Sequence, residues 1–299
     1  MKFNKIPTLF FGLLLLAGIV LSCRKETTPD MMKDGSCGRL FFCVEAEDYE
    51  IPLRKDVTVG LFFSPGEGGG LKRLNEMMVI GENGETLPER DTVVGAVDGL
   101  LYAYSPYTVS WEDALESVKE FSVQKDQSAE LAYRESDLMW AAEVAVTKPS
   151  TKVTLSHAMA RIVIHMTSHS PEDDMRNVKV SLCDRVTGCH VFLREQSLQP
   201  DTVSVSDVRC HMVDAKDTRA SLTAVIPPQN VSGGRLGLKI SMAGDTYEYD
   251  IPIAETFESG KLYVYALSFA DDRFVFEGGN VSDWTDGQDD VLDIDPSES

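Results

Sequence analysis

The sequence predicts an all-β protein, and three observations carry the prediction. The first is alternation. Leu236, Leu238, Ile240 and Met242 are separated by Gly237, Lys239 and Ser241; Tyr247, Tyr249 and Ile251 alternate with Thr246, Glu248 and Asp250; Tyr263, Tyr265, Leu267 and Phe269 form another single-faced row. Such period-two rows describe sheets with one face on a core and one in water. The second is the spacing of many short strand-prone runs, which is that of β-sandwiches. The third is that strands do not alternate with helical patterns, which argues against a parallel α/β sheet.

Taken in order, the chain opens with a leader. Lys2 and Lys5 give a positive start, and an uninterrupted apolar run follows from Leu9 to Leu21. The run is shorter than the roughly 18–20 apolar residues a membrane-spanning helix needs, so residues 1–22 read as a secretory signal peptide. The closing Val20-Leu21-Ser22-Cys23 resembles the lipobox of bacterial lipoproteins, with small Ser22 before the cut and Cys23 as the lipidated residue, although Leu21 is bulkier than usual there. A plain signal peptide cut nearby, or an uncleaved anchor, is the alternative. With Cys23 lipidated, the protein folds outside the cytoplasm and is held to a membrane by acyl chains, each CH₂ contributing ~0.8 kcal/mol. Residues 23–36, polar and without periodicity, then read as a tether.

The 299 residues carry a formal net charge of −20, and loss of Lys2 and Lys5 with the leader takes it two charges further. That excludes nucleic acid, whose phosphates demand a basic face, and a peripheral grip on anionic lipid. The hydrophobic fraction of 43% excludes a disordered chain. The length suggests about two domains at ~150 residues each, divided near Pro149: residues 37–150 and 151–284. Of six cysteines, Cys23 aside, an odd number remains, which is not a disulfide framework. Cys183 and Cys189 flank a turn-like Asp184–Gly188, so either a cross-hairpin bridge or buried free thiols fits.

Leu40-Phe41-Phe42-Cys43-Val44 is a short, strongly strand-prone run. Ala46–Lys55 reads as a polar loop, Val57–Phe63 as a second strand, and Ser64–Gly70 as a turn or loop. Met77–Ile80 leads to Asn83-Gly84, a hairpin signal. Leu100–Tyr104 is a further strand. Ser110 can cap a helix, with Asp113 three residues on and Trp111, Leu115 and Val118 on one face. Val153–Met166 is long and β-prone, with its alternation broken at His157–Ala160, which predicts a bulge or bend. Trp140 and Trp284 read as core. Thr285–Ser299 is an acidic tail whose only aliphatic residues are Val291, Leu292 and Ile294; it reads either as a disordered end or as a latent strand that orders in a partner's groove.

Seven short motifs then fall in a recognisable order. They are Ala103–Tyr107, Asp126-Gln127-Ser128, Ser136–Met139, Val153–Ala160, Ala224–Gln229, Phe257–Tyr265 and Val281–Trp284. With the lipobox, this series resembles the fimbrillin family of Bacteroidales, the Mfa-like lipoprotein pilins, related to type V pilins. The resemblance spans nearly all of the mature chain and fits least well between Ser64 and Val97. It implies two tandem β-sandwich domains of transthyretin-like topology, exported as an outer-membrane lipoprotein and assembled at the cell surface into fimbriae with other fimbrial subunits, with adhesion to host or bacterial surface ligands.

The resemblance also implies a mechanism. An extracellular trypsin-like protease cuts after an Arg in the loop following the first strand, the lipidated strand leaves, and a neighbouring subunit fills the emptied groove by β-augmentation. Mapped here, the covering strand is Leu40, Phe41, Phe42, Cys43 and Val44, and the loop is Ala46–Asp56 with Arg54 as the cut. Arg39 lies before the strand, so cutting there leaves the groove filled. The Thr-Arg pair often seen in that loop is absent. The donor is the tail, Asp289–Ile294, with Val291, Leu292 and Ile294 as its plugs.

No constellation for catalysis emerges, and the chain reads as a non-enzyme. Gly66–Gly70 is not followed by Gly-Lys-Ser or Gly-Lys-Thr, and no Gly-x-Ser-x-Gly elbow occurs. His157, His165, His169, His190 and His211 lack zinc spacing; His157 reads as bonding backbone at the strand bend. Neither a cofactor nor a metal is expected. The competing reading is a surface glycan-binding lipoprotein of a nutrient uptake system, which requires a platform of exposed aromatics.

Overall fold

The computed structural model describes residues 39–45, 50–65, 73–86, 99–146, 150–253 and 256–286. The first half supplies β1 (Arg39–Glu45), β2 (Glu50–Pro52), β3 (Thr58–Pro65), β4 (Arg73–Val79), β5 (Gly99–Ser105), β6 (Lys119–Ser122), the helix α1 (Glu130–Glu135), β7 (Met139–Ala145) and β8 (Ser150–His157). The second supplies β9 (Ala160–Ser168), β10 (Lys179–Phe192), β11 (Ser197–Arg209), β12 (His211–Lys216), β13 (Arg219–Ile226), β14 (Gln229–Asn230), β15 (Arg235–Met242), β16 (Asp245–Pro252), β17 (Thr256–Phe257), β18 (Lys261–Ala270) and β19 (Arg273–Asp283). The all-β class predicted from the alternation holds.

The first sheet runs β2-β1-β8-β7-β5-β3-β4. The junction of β7 with β8 is only two residue pairs long, Met139 with His157 and Trp140 with Ser156. The sheet curls until β1 meets the turn that follows β4: Phe41 bridges Glu85, and the Phe42 N–H donates to the Gly84 carbonyl at 2.8 Å. Inside the curl lie Leu40, Phe42 and Val44 of β1, Leu61 and Phe63 of β3, Leu101 of β5, and Val153 and Leu155 of β8.

The second half is two packed sheets, β11-β10-β15-β16 and β12-β13-β9-β18-β19. Their facing rows, among them Ile162, Ile164, Leu222, Leu236, Leu238, Ile240, Tyr263 and Tyr265, form one continuous core. β6 pairs along β10 at Gly188–Val191, so the first half of the chain adds a strand to the second half's sheet.

A third core joins the two halves. Phe62, Tyr102 and Tyr104 point away from the first core and meet Val163, Val191, Val225 and Leu262. β3 and β5 are therefore buried on both faces, which is why Leu61-Phe62-Phe63 and Leu101-Tyr102-Ala103-Tyr104 read as unbroken apolar runs rather than alternations. The predicted bend at His157–Ala160 is the step at which the chain leaves the first sheet (β8) and enters the second (β9).

Two local expectations are corrected. Ser110 does not cap an α-helix: Val109–Trp111 is one 3₁₀ turn, continued by short-range bonds such as Ala114 N–H to Trp111 O at 3.0 Å. Trp111 is buried and Val118 is exposed, so the three apolar residues do not share one buried stripe. Asp184–Gly188 is not a hairpin turn either. It lies inside the 14-residue β10, where bulges beside Asp184 (φ +53°) and Val186 mimic turn chemistry. Cys183 and Cys189 thus sit on one strand, roughly 20 Å apart at about 3.3 Å per residue, and both are free thiols.

Candidate functional site at the first strand

β1 is an interior strand. Along one edge it pairs in parallel with β8, Leu40 to Thr151 through Val44 to Leu155. Along the other it pairs antiparallel with β2, and the Phe42 carbonyl accepts the Leu53 N–H at 2.8 Å. The predicted covering-strand residues separate by face: Leu40, Phe42 and Val44 are buried, whereas Phe41 and Cys43 are half-buried. Arg39 is the first residue of β1 and pairs with Ser150, rather than preceding the strand.

The segment after β1 differs from the expected open loop. Glu50–Pro52 forms β2, and Leu53 is buried in the same core as Phe42. Glu50 reaches across β1 to β8, accepting from Thr154 Oγ1 at 2.7 Å and from Lys152. β1 and β2 are thus the two arms of a hairpin fastened at both ends. Arg54 follows at a turn closed by the Val57 N–H to the Arg54 carbonyl. Its side chain is largely exposed and pairs with Glu130 of α1 at 2.7 Å.

Beside this hairpin lies a cleft of about 770 Å³. Val44, Leu53, Arg54, Tyr107, Tyr133, Trp284 and Asp286 are among the residues that line it. Here the structure assembles a group that the sequence did not announce. His157, at the end of β8, is buried, with its Nδ1 3.0 Å from both carboxylate oxygens of Asp137. Trp284 stacks on its ring at 3.8 Å and 6°. Its Nε2 lies 3.5 Å from Asp286 Oδ1, an ion pair rather than a close hydrogen bond. Burial pulls the His157 pKa down, but the Asp137 and Asp286 carboxylates outweigh it and raise the value to about 9. The imidazolium is therefore held charged between two carboxylates, where a backbone partner was expected. Arg161 lies over the other ring system, 5.9 Å from the Trp284 centroid.

Other motif residues tie strands to one another through side-chain and backbone hydrogen bonds. Gln127 bonds β13 in both directions, Nε2 to Val225 O at 2.7 Å and Val225 N–H to Oε1 at 2.8 Å. Gln229 does the same for Val186 at the β10 bulge. Ser259 Oγ donates to Ala158 O, and the Gly260 N–H to Met159 O, closing the step between β8 and β9. Cys189 and Cys210 are buried, and burial pushes both thiols up to about 12, so they are inert filler. Cys23, and Val291, Leu292 and Ile294 of the tail, lie outside the described residues. Among the described residues no helix is long and apolar enough to cross a membrane, and no cluster of His, Cys, Asp or Glu is placed to hold a metal.

A fimbrillin-like family model matches residues 94–284, which is more than half of the chain. The chain belongs to the fimbrillin-like family. No curated protein matches it. Among solved structures, a candidate cell adhesion protein from Bacteroides ovatus is similar with a TM-score of 0.65 at 14% identity, over 83% of this chain and 97% of that one. A second, from Bacteroides uniformis, has a TM-score of 0.60 at 16% identity, over 83% and 98%. At these identities the likeness is one of fold. It covers the curled sheet and the packed pair together.

Proposed function

We propose that this fimbrillin-like protein is a lipid-anchored structural or adhesive subunit of a bacterial surface fimbria, with two tandem sandwiches of transthyretin-like topology, assembled by protease-triggered strand exchange. One observation carries the reading: β1 is an interior, core-filling strand, and the β1–β2 hairpin runs into the following chain through an exposed turn at Arg54. Cutting after Arg54 leaves the β1–β2 hairpin attached by non-covalent contacts alone. Its departure opens the β8 edge and empties the positions of Leu40, Phe42, Val44 and Leu53. Each such side chain is worth on the order of 2 kcal/mol when buried, so an incoming strand of matching alternation from another subunit has a strong reason to bind. An unfilled edge of this kind is also an aggregation hazard, which the resident strand suppresses until the cut.

The anchor rests on Cys23, the protease on Arg54, and the donor on Asp289–Ile294. The test is treatment of the full chain with a trypsin-like protease, followed by N-terminal sequencing and size-exclusion chromatography. A new terminus at Lys55, loss of the N-terminal segment and formation of higher oligomers are expected, and Arg54→Gln should abolish all three. A chain that loses no segment and stays monomeric would sink the proposal. The glycan-binding alternative draws only on Tyr107 and Tyr133 in the cleft, and Trp284 beside them is nearly inaccessible.

A further inference from the structure

The exit of the C-terminal tail is fastened to the strand the mechanism would remove. The Asp286 N–H donates to the Glu45 carbonyl, the last residue of β1, at 2.9 Å. The Asp286 carboxylate meets His157, and the adjacent Trp284 is stacked on the same imidazole. His157 closes β8, whose free edge is covered by β1 from Ser150 to Leu155. Asp286 is therefore fastened to β1 directly, through Glu45, and to the end of β8 through His157, while Trp284 is also held independently of β1 by its backbone N–H to the Gly260 carbonyl at 2.8 Å. Asp137 holds the far side of His157 from the segment before β7.

The fastening is incomplete. Trp284 Nε1 and Thr285 Oγ1 are buried without a hydrogen-bond partner among the described residues, and Asp286 is more than a third exposed. Buried polar atoms left unpaired make a contact easier to give up. Thirteen residues, 287–299, continue from this point.

We infer that Trp284, Asp286 and His157 form a clasp through which β1 holds the C-terminal exit in place, so that departure of β1 releases the tail. Opening of the groove and loosening of the chain at Asp286 are then one event. This rests on the reading of β1 as a displaceable strand.

The test is amide hydrogen exchange by NMR in the full chain. Phe42→Ala loosens β1 without cutting anything. Its β1 amides and the Asp286 amide should accelerate together, about tenfold. If the β1 amides accelerate while Asp286 stays within twofold of wild type, the coupling is wrong. His157→Gln should accelerate Asp286 while leaving β1 unchanged, and Asp286→Ala, at a rim position least able to disturb folding, should expose Trp284 to a soluble quencher. Unaltered exchange in the first and unaltered quenching in the second would overturn the clasp. A protease cut after Arg54 that leaves β1 in place would remove the displacement mechanism, and the two uncut variants would still decide the clasp.

Discussion

At Gly84 the backbone sits at φ +77°, and a Cβ there would lie 2.3 Å from the Phe42 carbonyl oxygen. Only glycine lets the turn after β4 approach β1 closely enough to accept the Phe42 N–H. Gly84→Ala meets strain and a backbone clash at once, so it should cost more than ~1 kcal/mol, read as a lower denaturation midpoint. Asn83-Gly84 was legible as a turn; that the turn closes a sheet was not, because the closing partner is more than 40 residues upstream. His157 makes the converse point. Asp137 from the segment before β7, Asp286 from the end of β19 and Arg161 of β9, over Trp284, all surround it, and nothing in local sequence joins them. Its pKa is raised from an ordinary value of about 6.5 to about 9. A folded value above the unfolded one stabilises fully below about 6.5, and that stabilisation is lost as pH rises through about 9. The imidazole resonances should titrate near pH 9, and His157→Gln should flatten the fall in stability over that interval. A titration midpoint at or below 6.5 would contradict the paired imidazolium.

Among elements, β1 carries the clearest contrast between local and distant information. Its residues announce a strand in any context, and Leu40, Phe42 and Val44 fall on the buried face as alternation requires. Its parallel pairing with β8, more than 100 residues away, follows from no local pattern. Phe42 is fully buried in the first core. Truncation to alanine should therefore cost about 3–5 kcal/mol, whereas Phe41→Ala on the half-buried face should cost much less; equal losses would place β1 on the surface rather than inside the sheet. Two misread elements fail for one reason. Ser110–Val118 has helical spacing, but Trp111 is drawn into a stack with Tyr104 at 4.6 Å, and the chain tightens into short turns to reach it. Asp184–Gly188 has turn residues, but Asp184 takes a positive φ within a bulge, and Gln229 satisfies Val186 where the ladder is broken. Tertiary partners decided both.

For the whole molecule, the third core matters most. A division into two halves near Pro149 suits the composition, and among the described residues the two halves share a buried core. The outward faces of β3, β5 and β7 are closed by Val163, Cys189, Val191, Leu193, Val225, Leu262 and Val264, and β6 is lent to β10. A half on its own would expose Phe62, Tyr102, Tyr104 and Trp140, a contiguous apolar face of the kind folded monomers rarely leave bare. Unfolding of the full chain should therefore be one cooperative transition, with calorimetric and van't Hoff enthalpies in agreement. Val191→Asp places a charge in this shared core, where burial without a partner is costly, and should lower the midpoint for both halves together rather than for the second alone. Two separable transitions, with only the later half moved by Val191→Asp, would mean that each half is sufficient without the other. In that case the shared core of Phe62, Tyr104 and Val191 would not couple the halves, and loosening of β1 would be felt in the first half only.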